Sequence, residues 1–398
     1  MEFLVGRTIA LLGVAMIVAI VARRLRLPYT VGLTLAGVGL AVARFDFGLE
    51  LTPEVIFDVI LPPLLFEAAL NLDWRELWRD LAPVLAMSSV GVGLCAAVVG
   101  GGLVWGLGWP RAPAFAFGAL IAATDPIAVI ALLRETGTRG RLALIIESEA
   151  LINDGAAALL FALVVGAMTS AAAPTPLDVV VRFVVIAVGG VIGGALVGLA
   201  AIFVAGRTDD PLVETALTAV AAYGSFLLAD HFGASGVFAC VTAGLVMGNF
   251  GELVEAEGGW KPALRGKTFV LAFWDFAAFV ANSFVFLMIG VALAKAPARS
   301  YATLAVVVGL ALLGRAAAVY PVALAFTRTR WRIPLREQHF LTWAGLRGAV
   351  ALALALSLPM GTRYRDEILF GAFAVVAFST LVQGLTAGLA LRGLGLRK

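Results

Sequence analysis

Long apolar runs, most of them near the length of a bilayer crossing, follow one another along the whole chain with short polar interruptions. A helix needs about 20 apolar residues to cross the hydrocarbon core. The pattern predicts thirteen such spans, at 3–22, 28–43, 53–70, 81–109, 112–133, 142–168, 179–205, 212–229, 235–248, 268–294, 301–326, 340–358 and 368–391. The runs are too long and continuous for a transmembrane barrel, whose strands alternate in short segments. Gly or Pro interrupts several spans, which a bilayer tolerates only where neighbouring groups re-satisfy the backbone. The expected fold is an all-α polytopic membrane protein. Residues 1–398 are expected to form a single transmembrane unit, with no soluble tail after the last span.

Composition narrows the class further. Of 398 residues, 61% are hydrophobic and 14% charged, against about 45–50% apolar and about 25% charged in soluble domains. A soluble globule and a disordered chain are both excluded. The formal net charge of +3 is too weak for a nucleic-acid surface, so no nucleic acid is expected and the partner is membrane lipid. Arg23, Arg24 and Arg26 follow the first apolar run, whereas a signal peptide carries its charge before it. With the N-terminus outside and the sides alternating, nineteen of the 29 Lys and Arg fall on the inner side and eight on the outer. Arg315 and Arg347 lie within spans. This positive-inside bias predicts a cell-membrane protein, bacterial-inner-membrane in type, with its C-terminus in the cytoplasm. Thirteen spans also divide into six, a linker and six of opposite orientation, the inverted repeat of many secondary transporters. Spans 112–133 and 340–358 each carry a polar, Gly- or Pro-marked interruption.

Ionisable groups inside a bilayer cost about 2.5–3.5 kcal/mol each on insertion scales, so each needs a reason. The deep ones are Glu67, Asp125, Glu147, Glu149, Asp154, Asp275, Arg315 and Arg347. Asp125 precedes Pro126 in mid-span. Proline removes a donor and should break the helix there. The freed carbonyls beside a carboxylate make a cation site; the plain alternative is a kink with Asp125 capping the second half. In the next span Glu147 and Asp154 share one helical face, and Glu149 and Asn153 another. Carboxylate, amide and main-chain oxygens suit a hard monovalent cation. Burial raises a carboxylate's proton affinity and nearby positive charge lowers it, so proton and ion can compete for one group. If Asp154 alone exchanges, one ion replaces one proton and no net charge moves. The neutral Asn153 agrees with that count.

Arg347 lies between Gly345 and Gly348, and an unpaired buried arginine is so unfavourable that it should face an acid, with Glu149 the first choice. Arg315 is similar, and Glu67 either pairs with it or lines the inward funnel. Cys95 and Cys240 read as small core residues, and His231 and His339 as interfacial ones. Two aspartates on adjacent spans can form a protease dyad, but Thr124 and Pro126 flank Asp125 where a catalytic loop has glycine. A passive cation channel is the other competing class.

The motifs Leu61-Pro-Pro-Leu-Leu-Phe-Glu67, Ala123-Thr-Asp-Pro126, Glu147-x-Glu-x-x-x-Asn-Asp154 and Ser235-Gly-Val237 occur in order. Ala243-Gly-Leu-Val-Met-Gly-Asn249, Asn282-Ser-x-Val-Phe-x-x-Ile-Gly290 and Gly345-Leu-Arg-Gly-Ala-Val350 complete the series. Together they resemble the electroneutral sodium/proton exchanger branch of the monovalent cation:proton antiporters, over essentially the whole chain. The resemblance implies thirteen helices with two broken helices crossing near the midplane. It implies a core subdomain of spans 4–6 and 11–13 and a dimerisation subdomain of spans 1–3 and 7–10. It implies a homodimer working by an elevator motion, with Na+ and H+ transported and no cofactor. Asp154 is then the carboxylate shared by ion and proton, and Asp125, the Thr124 main chain and Asn153 surround it. Asp154, Asp125 and Thr124 would hold Na+; Glu149 and Arg347 would form the buried supporting pair; and Glu67, Arg315 and Glu147 would be accessory. One departure is Ala150, where the family carries serine, which leaves the choice among Na+, Li+ and K+ open and keeps K+/H+ exchange as the alternative.

Overall fold

The computed structural model describes residues 2–25, 27–44, 52–138, 140–169, 175–254, 264–295 and 301–396, and every regular element among them is helical. The topology charges Arg26, Arg139, Lys261, Arg299, Arg397 and Lys398 lie outside the described residues. In chain order the α-helices are α1 (Glu2–Leu25), α2 (Tyr29–Val42), α3 (Leu61–Asn71), α4 (Trp74–Ala86), α5 (Val92–Leu107), α6 (Arg111–Ala122), α7 (Ile127–Glu135), α8 (Arg141–Thr169) and α9 (Pro176–Ala205). They continue with α10 (Pro211–His231), α11 (Gly236–Val254), α12 (Lys267–Lys295), α13 (Tyr301–Ala325), α14 (Leu335–Trp343), α15 (Ala349–Leu356), α16 (Arg365–Phe378) and α17 (Gly384–Gly393). π-Helical turns at Val55–Ile60, Met87–Gly91 and Ser379–Gln383 run directly into α3, α5 and α17.

Among the described residues, eight helical units are long and apolar enough to cross a membrane, with α4–α5, α6–α7 and α16–α17 each taken as one unit. The other five expected spans fall on α1, α2, α3, α11 and the broken pair α14–α15, which are shorter in their apolar run or interrupted. Local chemistry sets several boundaries. Pro62 and Pro63 follow directly on the π-helical turn Val55–Ile60, whose wider bonding departs from the α-helical ladder where the two prolines remove donors. Asp73 caps α4 by accepting from the N–H groups of Arg75 at 2.7 Å and Glu76 at 3.1 Å. Asn249 of α11 ties the corner before α4, accepting from Trp74 N–H at 2.8 Å and donating to the Leu72 carbonyl at 2.9 Å.

The helices pack in two groups. One joins α1–α3 with α9–α12, chiefly through α2 on α12, α9 on α11 and α3 on α11. The other joins α4–α8 with α13–α17, through α5 on α6, α5 on α13 and α6 on α8. Gly37 and Gly290 let α2 and α12 touch: a Cβ on either would come within 2.1 Å of a carbonyl oxygen of the other helix. Along α9, Val180, Val184, Val188, Ile192 and Leu196 stand exposed, an apolar face suited to hydrocarbon.

Candidate ion-binding site

The first broken helix ends where the sequence places Pro126. α6 stops at Ala122, residues 123–126 are non-helical, and α7 restarts at Ile127. The Asp125 Oδ1 accepts from the Ile127 N–H at 3.0 Å and so caps α7. Capping and cation binding were the two readings of this residue, and the capping geometry is present. The Thr124 hydroxyl accepts from Asn153 Nδ2 at 3.2 Å.

The second break separates α14 from α15, and the two unwound stretches meet. The Asp125 N–H donates to the Leu346 carbonyl at 2.8 Å. Glycine is the only residue type that fits at Gly348, just before α15: an added Cβ would lie 2.1 Å from Asp125 Oδ2. Gly345 does the same for a different neighbour, since a Cβ there would lie 2.4 Å from Arg315 Nε.

These contacts correct the expected ion pairing. Glu149 pairs with Arg315, at 2.6 Å from Nη1 to Oε1 and 2.8 Å from Nη2 to Oε2, and both side chains are buried. This bidentate geometry is the strong form of the interaction. Arg315 also donates to the Leu341 carbonyl from Nε at 3.2 Å and Nη2 at 3.1 Å, covering the C-terminal end of α14. Arg347 instead sends Nη1 to the carbonyls of Ala122 and Ala123, at 3.1 Å each, and so satisfies the C-terminal end of α6. Its main-chain N–H donates to Ser379 Oγ at 2.9 Å, and that hydroxyl lies 3.1 Å from the Arg347 carbonyl. The helix ends left by the breaks decide the matter: each has orphan carbonyls, and each takes one guanidinium. Glu67 likewise does not pair with Arg315. It accepts from Asn71 Nδ2 at 2.9 Å and lines the cavity described next.

A cavity of about 300 Å³ reaches Asp154, Asp125 and Thr124, with Glu67, Glu147 and the exposed Arg134 among its lining. Glu147 lies 3.7 Å from Arg134. Asp154 Oδ1 is buried without a hydrogen-bond partner. Asn153 does not line the cavity; its Nδ2 bridges Thr124 and the Glu149 Oε1, the latter at 3.2 Å. Ala150 lines the cavity, and Ser148 cannot supply the missing hydroxyl because its Oγ bonds the Leu144 carbonyl of its own helix. The oxygen set of Asp154, Asp125 and Thr124 fits a hard monovalent cation. Sequence reasoning did not assign Ser379 or Gln383, whose Nε2 holds the Trp343 carbonyl at 2.9 Å. Two polar residues one turn apart in an apolar last span were the available signal.

A family model described as "Sodium/hydrogen exchanger, transmembrane" matches residues 11–393. The Na(+)/H(+) antiporter ApNhaP of Aphanothece halophytica is 38% identical over 398 residues, covering 99% of this chain and 75% of its own. The Na(+)/H(+) antiporter NhaH of Halobacillus aidingensis is 32% identical over 406 residues, covering 97% and 96%. Among solved structures, the sodium proton antiporter MjNhaP1 from Methanocaldococcus jannaschii superposes with a TM-score of 0.78 at 20% identity, over 99% of each chain. That likeness bears out the all-α fold.

Proposed function

The chain belongs to the sodium/hydrogen exchanger family, whose members are secondary transporters and not enzymes, and on that premise we propose that it exchanges Na+ for H+ across the membrane. The observation that carries the reading is Asp154, whose Oδ1 is buried and unpartnered on a cavity that Asp125 and Thr124 also line. Such a group is stable only when a proton or a cation completes it. Asp154 holds one or the other; Asp125 and the Thr124 main chain contribute to the ion site.

Asp154 is the single exchanging acid, so the stoichiometry is one to one and electroneutral. The neutral Asn153 supports this, since it bridges two core groups and brings no second titrating site. The group α4–α8 with α13–α17 carries the ion and moves as an elevator against α1–α3 with α9–α12. The protein is a homodimer in the cell membrane, N-terminus outside and C-terminus in the cytoplasm, and the cavity beside Arg134 opens to the cytoplasm.

The test is proton movement in proteoliposomes holding a pH-reporting dye, with Na+, Li+ and K+ added in turn. Na+ drives proton exchange without generating a membrane potential, and Asp154→Asn and Asp125→Asn abolish it. Exchange driven by K+ but not Na+ selects the K+/H+ alternative. Full exchange by Asp154→Asn defeats the reading.

A further inference from the structure

Asn282 lines the same cavity as the aspartates. It belongs to α12, in the packing group of α1–α3 and α9–α12, whereas Thr124, Asp125 and Asp154 belong to the other group. It is 8% exposed. Its Oδ1 is buried without a partner. A carboxamide left without partners inside a membrane protein is costly, and buried polar groups of this kind are retained where water or a ligand completes them.

The helical turn that bears Asn282 is anchored. The neighbouring Ser283 hydroxyl bonds the Tyr29 hydroxyl of α2 and donates to the Phe279 carbonyl at 2.5 Å. Tyr29 also stacks on Phe279, with ring centroids 5.3 Å apart. The amide is therefore fixed to α2 and α12 and stays with them. Asn282 also lies seven residues from Asp275, and Asp154 seven from Glu147, so each pair shares a helical face. One helix of each packing group thus carries polar groups at two depths, with Glu67 lining the same cavity.

We propose that Asn282 is an ion ligand supplied by the stationary group. Its carboxamide oxygen helps to replace the water shell of a monovalent cation entering from the cavity side, directly or through one retained water. The ion loses this ligand when the aspartates carry it away. Asn282 thus strengthens cation binding from one face of the membrane and not from the other. The proposal rests on the antiport reading above and on motion between the two groups.

The experiment measures the Na+ dependence of proton exchange in everted and in right-side-out membrane vesicles from cells lacking their own exchangers. In everted vesicles the added Na+ meets the cavity described here. Asn282→Ala raises the half-saturating Na+ concentration about fivefold in everted vesicles and by less than about twofold in right-side-out ones, on the scale of one lost ligand contact. Asn282→Ser, which keeps an oxygen, gives a smaller shift on the same side only, and it carries the test if the alanine variant fails to reach the membrane. An equal shift from both faces, or no shift from either, overturns the proposal. Asp154→Asn is run alongside. If it is inactive while the Asn282 variants are unshifted, this proposal alone falls; if it retains exchange, the antiport reading falls and takes this one with it.

Discussion

The main-chain N–H of Asp125 donates to the carbonyl of Leu346 at 2.8 Å, fastening the unwound stretches of two broken helices at one point. Four helix ends therefore meet inside the protein. The starts of α7 and α15 lie beside the Asp125 carboxylate, through the Ile127 N–H and the close approach of Gly348. The ends of α6 and α14 lie against the guanidinium groups of Arg347 and Arg315. Helix starts carry partial positive charge and helix ends partial negative charge, each about half an elementary charge. Each end thus meets a side chain of opposite sign, which stabilises a crossing that would otherwise leave backbone groups unsatisfied in the membrane.

Gly348→Ala places a methyl group where Asp125 Oδ2 now lies, 2.1 Å away. Backbone on one side and a capping carboxylate on the other leave little room to yield. Overpacking of this kind costs about 1–3 kcal/mol. Na+-driven proton exchange is expected to fall about tenfold or more, with the variant still folded by size-exclusion chromatography. Wild-type exchange rates in Gly348→Ala would show that the contact is not required.

The Glu149–Arg315 pair is buried on both sides, so removing one partner strands the other. Arg315→Met and Glu149→Leu are each expected to destabilise the detergent-solubilised protein by about 3–5 kcal/mol, and the double variant by less than their sum. Thermal unfolding of the four proteins measures the coupling. The cycle between Glu149 and Arg347 should show the smaller coupling, because Arg347 bonds carbonyls and not Glu149. The opposite ranking would reverse the assignment.

The spans were legible because burying apolar surface in lipid demands length and hydropathy, which a chain displays openly. The break at Pro126 was legible for a similar reason: proline acts on its own helix. The partner of Glu149 was not. Two arginines, Arg315 and Arg347, were available, and spacing along the chain does not say which guanidinium a helix end will take. That choice depends on where the C-termini of α6 and α14 come to lie, a property of the crossing and not of any one segment. Ser379 and Gln383 escaped notice for the same reason, since their partners are main-chain atoms of Arg347 and Trp343.

Ala150 lines the cavity beside Asp154, and Ser148 has its hydroxyl committed to the Leu144 carbonyl. Ala150→Ser therefore adds an oxygen that no neighbouring residue already supplies. The expected result is a fall of about fivefold in the half-saturating Na+ concentration, the scale of one added ligand contact. Dye-reported exchange with Na+, Li+ and K+ checks it, and unchanged values for all three ions would mean that the hydroxyl does not reach the ion.

Charge counting alone suggests that Asn153→Asp would add a second exchanging acid and make transport electrogenic. The geometry argues otherwise. Asn153 Nδ2 donates at 3.2 Å to both Thr124 Oγ1 and Glu149 Oε1. A carboxylate there has no hydrogen to give, and it would stand against the Glu149 carboxylate that already holds Arg315. Losing a buried donor costs about 1–3 kcal/mol, and like charges at that separation add to it. The new carboxylate would also sit behind the cavity wall, since Asn153 does not line the cavity. Asn153→Asp is therefore expected to lower the unfolding temperature and slow exchange, while a potential-sensitive dye in the same proteoliposomes records no Na+-driven voltage. A voltage generated by Asn153→Asp would mean that position 153 does reach the ion, and that the neutrality of this residue sets the stoichiometry directly.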